Sequence, residues 1–213
     1  MAQTPVERAT RVAVLLRPRA LLALAALFSG VALLAHILAG YSLPLTLLLT
    51  TGLMVLAARR IWRRASRGQR ARLARLGRTG LTAGLLATAA YDLSKFALSR
   101  FDPSPYNPFE VIRIFGRLLV GNSAPLGVTY AAGTSFHLLN GLTFATSYCF
   151  LLGGTGVLTG IAWGLFLELF QLTLYPGWLN IKFYTEFATI SALSHVVYGA
   201  VLGLCCRTAL PKE

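Results

Sequence analysis

The chain has 213 residues, 55% of them apolar and only 13% charged, and its mean hydropathy is +0.63. A soluble domain carries roughly 25% charged residues, and this length holds one domain, which leaves no room for a soluble catalytic module beside a membrane part. The formal net charge of +13 would suggest nucleic acid in a soluble protein, but thirteen of the twenty Lys and Arg lie in two blocks, residues 8–19 and 59–78, that flank apolar runs.

That placement is the positive-inside pattern, in which cationic loops stay cytoplasmic, so no nucleic-acid partner is expected. The 59–78 stretch holds nine arginines with Trp62, Leu73 and Leu76 among them. It reads as a topology anchor in contact with anionic lipid headgroups, with an RNA or protein contact as the lesser alternative.

Apolar runs of about 20 residues, the length that crosses a hydrocarbon core of about 30 Å, recur along the chain. They predict an all-α, polytopic membrane protein of about six transmembrane helices, over residues 20–40, 43–58, 80–98, 127–152, 156–175 and 187–206. The first run is longer than a signal-peptide core and lacks a small-x-small cleavage site. Tyr41 to Pro44 reads as an outer turn and Gly153-Gly154-Thr155 as an inner one. Both termini then fall on the cytoplasmic side of a cell (inner) membrane, and only Arg100, Arg113, Arg117 and Lys182 fall in outer loops. The whole chain, 1–213, is one transmembrane domain. Residues 1–78 form a two-span hairpin with a basic cytoplasmic loop, 79–152 a first repeat hairpin with an outer helix, and 153–213 a second repeat hairpin.

Within the outer loop 100–125, Asn107-Pro108-Phe109-Glu110 supplies an N-cap, a proline at the first helical position and an acid at the third. Phe109, Ile112, Phe115 and Leu119 follow at helical spacing, with Arg113 and Arg117 on another face, as in a helix lying flat in the headgroup layer. The loop 176–186 carries Trp178, Lys182, Phe183 and Tyr184, which suits an aromatic belt. Cys149, Cys205 and Cys206 all lie in predicted spans near the cytoplasmic side. They read as small buried hydrophobes rather than a disulfide framework, with acylation of Cys205 or Cys206 a weak alternative.

Spans 3 and 5 match at a shift of 76 positions: Thr79-Gly80, Gly84, Thr88 and Asp92-Leu93 against Thr155-Gly156, Gly160, Gly164 and Glu168-Leu169. Spans 4 and 6 match at a shift of 58: Gly133, His137 and Gly141 against Ser191, His195 and Gly199. Residues four apart share a helix face, so each hairpin sends an acid outward and brings a histidine back on small-residue faces that permit close approach. Same-direction repeats imply a pseudo-twofold axis along the membrane normal. At about 1.5 Å per residue, Asp92 and Glu168 lie ~18–20 Å from the inner ends of their spans, and His137 and His195 lie ~12–15 Å from the outer ends. Ionisable groups at that depth cost roughly 2.5–3.5 kcal/mol each on insertion scales, so the four are expected to turn inward and converge.

Four uses of such a cluster stay open. Two buried acid–imidazole pairs can simply hold the bundle together, and Lys95, one turn beyond Asp92, can neutralise that acid. His137, His195, Glu168 and Asp92 have the chemistry of a divalent-metal site such as Zn or Fe, although no HxxH or HExxH spacing is present. His and carboxylate chains also relay protons, and two histidines can hold haem. Asn140 and Gln171 lie one turn away as supporting donors. The function classes are a metal-dependent or acid–base enzyme acting on a lipid-phase substrate, with Arg113, Arg117 and Lys182 attracting an anionic headgroup; a proton- or ion-coupled transporter or channel; and a non-catalytic subunit with a structural cluster. Homo- or hetero-association is left open.

His137, Phe144-Ala145, Tyr148-Cys149, a short inner turn, then Glu186, His195 and Arg207 resemble the YagU-like uncharacterised inner-membrane proteins of bacteria over roughly residues 130–207. The resemblance implies a multi-pass inner-membrane setting and no chemistry. It covers neither the arginine block nor the Asp92 motif.

Overall fold

The computed structural model describes residues 18–174 and 183–210, and among these every element is helical. Eight helices follow in order among the described residues: α1 Pro18–Ala26, α2 Phe28–Ala39, α3 Leu43–Arg64, α4 Arg67–Ser99, α5 Glu110–Val120, α6 Leu126–Leu152, α7 Val157–Leu174 and α8 Tyr184–Ala209. α3, α7 and α8 are long and apolar enough to cross a membrane, and α1 with α2, bent by 49° at Leu27, would make a fourth such span. α4 and α6 fall outside that group because their apolar lengths carry Asp92, Lys95, His137 and Asn140 together with many Ser and Thr. On α3 the large apolar side chains Leu45, Leu48, Leu49, Leu53, Val55 and Leu56 all face outward, an arrangement that suits lipid and not water.

α4 stands between α6 and α8, and α7 packs on α8. The α2–α3 hairpin rests beside this group, against α6 and α5. The helices touch at glycines. A Cβ added to Gly84 would lie 3.0 Å from the Cα of Leu142 and 3.1 Å from the Gly141 carbonyl, and one added to Gly160 would lie 2.1 Å from the Gly199 carbonyl. Backbone therefore lies against backbone along both pairs, which only residues without side chains permit.

Three corrections to the sequence reading follow. The arginine block is not a loop, because α3 runs through Arg64 and α4 restarts at Arg67. Arginine is a good helix former. The chain breaks only at Ala65-Ser66, where a capping box between Ser66 and Gln69 starts α4. Second, α5 begins at Glu110 with Phe109 as its uncapped N-cap residue, and Asn107 accepts a bond from the Phe109 amide instead. It is docked on α6: Phe115 meets Phe136 edge to face at 5.2 Å. A Cβ on Gly133 would fall 1.9 Å from the Ile112 carbonyl. Third, Cys149 and Cys206 are not separate hydrophobes but a disulfide joining α6 to α8, with Cα atoms 6.6 Å apart. Cys205 alone remains a free thiol.

Candidate functional site

Four helices deliver the polar groups. α4 presents Tyr91, Asp92 and Lys95 within one turn, α6 presents His137 and Asn140, α7 presents Glu168 and Gln171, and α8 presents Ser191, His195 and Tyr198. The groove left by the small residues of each helix lets the carboxylate of one meet the imidazole of its neighbour. His137 Nε2 lies 2.9 Å from Asp92 Oδ1, and His195 Nδ1 lies 2.8 Å from Glu168 Oε2.

An ionised carboxylate only accepts, so the imidazole nitrogen facing it carries a proton. The opposite nitrogens, Nδ1 of His137 and Nε2 of His195, are then the ones left to act as bases, each held in its tautomer by a carboxylate. His195 Nδ1 lies also 3.0 Å from the Ser191 carbonyl, which fixes its ring further.

The two pairs do not merge. The Tyr91 ring lies between them, with centroids 5.9 Å from His137 and 4.8 Å from His195. Tyr91 Oη is 3.4 Å from Ser191 Oγ and accepts from Lys95 Nζ at 3.4 Å. Ser191 in turn donates to Glu168 Oε2 at 3.0 Å and accepts from Gln171 Nε2 at 3.2 Å. A continuous chain of hydrogen-bonding side chains thus runs Lys95–Tyr91–Ser191–Glu168–His195.

Both histidines, Asp92, Tyr91, Lys95, Thr88, Asn140 and Gln171 face one cavity of about 100 Å³, against roughly 10–15 Å³ per water on that measure. Pro108, Phe109, Val111, Ile112 and Phe115 of α5 and the segment before it form its roof. The Asp92–His137 pair is the open one, with side chains 29% and 20% exposed; Glu168 is 3% exposed. Glu168 Oε1, Thr88 Oγ1 and Asn140 Oδ1 are buried without a hydrogen-bond partner among the described residues. Ala83, Ala87, Ala145, Trp163 and Leu202 belong to one buried apolar cluster of the bundle and are not among the residues that line the cavity.

Asp92, His137 and His195 line the one cavity, and Glu168 lies behind it against His195. They do not form one ligand set: among the described residues no group of three or more His, Cys, Asp or Glu is placed to hold a metal ion. The reason is local, since each imidazole is already matched to the carboxylate of its own hairpin and an aromatic ring fills the space between.

Of the residues expected to draw in an anionic headgroup, Arg113 is committed to Glu110, its Nε donating to Oε1 at 3.1 Å, and that bond holds its guanidinium above its ordinary value. Arg117 is exposed on α5 away from the cavity lining, and Lys182 lies outside the described residues, as does Trp178. The cation that does line the cavity is Lys95, 4% exposed, with Nζ 5.4 Å above the rings of both Tyr91 and Phe187. It pairs with no carboxylate among the described residues, so the expected neutralisation of Asp92 by Lys95 is replaced by the Asp92–His137 contact. In the loop before α5, burial pushes the Tyr106 phenol up, and the charges of Glu168 and Asp102 add to the effect.

Sequence reasoning missed Tyr91 and Tyr198, and took Ser191 only as a small residue of its row. Tyr91 and Lys95 are four apart on the face that carries the site, and so are Ser191 and His195; the spacing that located the acids could have located them. Gln171 was expected as a supporting donor and is one, through Ser191.

No protein-family model, curated protein or solved structure matches this chain.

Proposed function

We propose that the protein is a multi-pass membrane enzyme that performs acid–base chemistry on the polar end of a lipid-phase substrate, taken up beneath α5. The observation that carries this reading is the single cavity flanked by two imidazole–carboxylate pairs, with a tyrosine and a lysine between them, the lysine lacking a carboxylate partner among the described residues. The paired carboxylates orient two basic nitrogens, and Lys95 and Tyr91 supply cationic and hydroxyl donors to charge that develops on a substrate oxygen. The roof of Val111, Ile112 and Phe115 over a polar floor suits an amphiphile.

Six spans belong to the same proposal. α4 and α6 carry the polar site inward and complete the set begun by α1–α2, α3, α7 and α8, and the arginine end of the bundle faces the cytoplasm with both termini. The two hairpins are copies: the Asp92–His137 and Glu168–His195 contacts are related by the shifts that relate Gly84–Gly141 to Gly160–Gly199. The buried apolar cluster that includes Ala83, Ala87, Ala145 and Leu202 favours a one-sided site over a through-path, and the interlocked glycines favour a fixed core over sliding helices.

The test is reconstitution of the purified chain in vesicles of its host's total lipid extract, with the lipids followed by mass spectrometry. One lipid class should change with the wild type and stay constant with Asp92→Asn or His195→Gln. No lipid change, with proton flux that both variants abolish, would replace the enzyme by a carrier. Neither change, with both variants only less stable, would leave a structural subunit.

A further inference from the structure

The cavity under α5 offers more hydrogen-bond acceptors than donors. His137 Nε2 and His195 Nδ1 face carboxylates, so His137 Nδ1 and His195 Nε2 are left as bare acceptors. Thr88 and Asn140 line the same cavity, and Thr88 Oγ1 and Asn140 Oδ1 are buried without a hydrogen-bond partner among the described residues. Donors are fewer. Tyr198 Oη gives its proton to the Gly141 carbonyl at 2.9 Å, and Gln171 Nε2 donates to Ser191 Oγ at 3.2 Å. Lys95 and Tyr91 remain.

Thr88 is the informative member. On a helix a threonine hydroxyl can donate to the carbonyl one turn back, as those of Thr46, Thr50, Thr146 and Thr208 do. Thr88 makes no such bond, although it lies within α4 and is only 2% exposed. Gly141 of α6 leaves room for its oxygen: a Cβ at Gly141 would lie 2.0 Å from Thr88 Oγ1. A buried polar atom left unpaired is costly, and a ligand that fills the cavity can supply the missing partner. Charge points away from an anion. Asp92 and Glu168 set two carboxylates against Lys95, the one cation among the described lining residues, so a phosphate brought among them would meet net repulsion.

We propose that the headgroup bound here is uncharged and carries two or more hydroxyls, of the glycerol or sugar kind. Its O–H groups donate to the two imidazole nitrogens and to Asn140, and one pairs with the Thr88 hydroxyl. Such a ligand presupposes that the cavity takes the polar end of a lipid, as proposed above, and specifies the chemistry of that end. A hydroxyl donating to a bare imidazole nitrogen is also the arrangement from which a general base removes a proton. Lys95 then faces the oxyanion so formed.

Native mass spectrometry of the full chain in detergent, titrated with three lipids that share one oleoyl chain, tests the assignment. Monooleoylglycerol carries two free hydroxyls, methyl oleate none, and oleoyl lysophosphatidic acid has a phosphate in place of one hydroxyl. Monooleoylglycerol should bind about tenfold or more tightly than either of the others, the effect of a few net hydrogen bonds. Thr88→Val, which keeps the shape and removes the hydroxyl, and Asn140→Leu should each reduce that preference about threefold or more. Equal binding of methyl oleate would overturn the proposal, because the polar end would go unread. Tighter binding of lysophosphatidic acid would overturn it in favour of an anion at Lys95. A preference untouched by both substitutions would put the lipid elsewhere on the protein and sink the site. If Asn140→Leu is not recovered folded, Thr88→Val decides alone. Hydroxyl-dependent binding by a chain that turns over no lipid would uphold this headgroup and remove the enzyme. Turnover confined to lipids without a free hydroxyl would uphold the enzyme and remove the headgroup.

Discussion

Tyr91 is the residue on which the site turns. Its ring separates the two imidazoles and its hydroxyl is the only described link between Lys95 and Ser191. Tyr91→Phe keeps the ring and takes away the hydroxyl. Two buried polar groups then lose a partner, for a stability cost of about 1–3 kcal/mol, read as a lowered melting temperature in detergent. Under the proposed enzyme function, lipid turnover should fall much further, by about a hundredfold when the hydroxyl donates to charge in the transition state. A variant as active as the wild type would remove Tyr91 from the chemistry and leave it a spacer. At this scale the sequence was informative about the ionisable groups and poor about their pairing. Helix depth places Asp92, Glu168, His137 and His195 at one level, but depth carries no azimuth, so the choice of carboxylate for each imidazole and the tyrosine between them were not legible. Lys95 shows the limit well. Sequence proximity matched it to Asp92, and tertiary packing set it over two aromatic rings instead.

At the scale of elements, the helix contacts separate glycines that are needed from glycines that are not. A Cβ on Gly160 meets the Gly199 backbone, whereas one on Gly52 of α3 meets nothing within 4 Å. Gly160→Leu should therefore force α7 away from α8 and cost about 1–3 kcal/mol or more. Gly52→Ala should be neutral or stabilising by about 0.5–1 kcal/mol, since alanine is the better helix former. Thermal unfolding of the two variants side by side checks the contrast, and an equal response would mean that α7 and α8 are not in backbone contact. The small-residue rows were readable from their four-residue spacing, and so was a helix between residues 100 and 125. What the spacing did not convey was the docking of α5. Its apolar face looked like a membrane-surface stripe, and the signal that it has a protein partner lay in Gly116 and Gly133, which no periodicity marks as a pair.

For the whole molecule, two outcomes bear on the arrangement of the chain. Alkylation of the unfolded, unreduced protein should add a single label, on Cys205, and three after reduction; three labels without reduction would mean that Cys149 and Cys206 are neighbours and not bonded. Reporter fusions at residue 122, between α5 and α6, and after residue 213 should report opposite sides of the membrane, and the same side for both would break the six-span topology. The all-helical class was plain from composition and run length. Membrane crossings were less so. The polar residues that make α4 and α6 interesting also lower their hydropathy, so the crossings proposed for these two helices are not among those that length and apolarity alone support.

The backbone contacts along Gly84, Gly160 and Gly199 bear on how such a protein changes over generations. Those rows tolerate no added atoms, so the packing of α4 on α6 and of α7 on α8, which carries the polar residues, is fixed by its own architecture. The roof is less constrained: the side chains of Val111 and Ile112 are only partly buried, although Gly116 and Gly133 hold their backbone close to α6. Lineages of this fold should therefore diversify in what they accept by rewriting α5 while leaving the paired hairpins untouched.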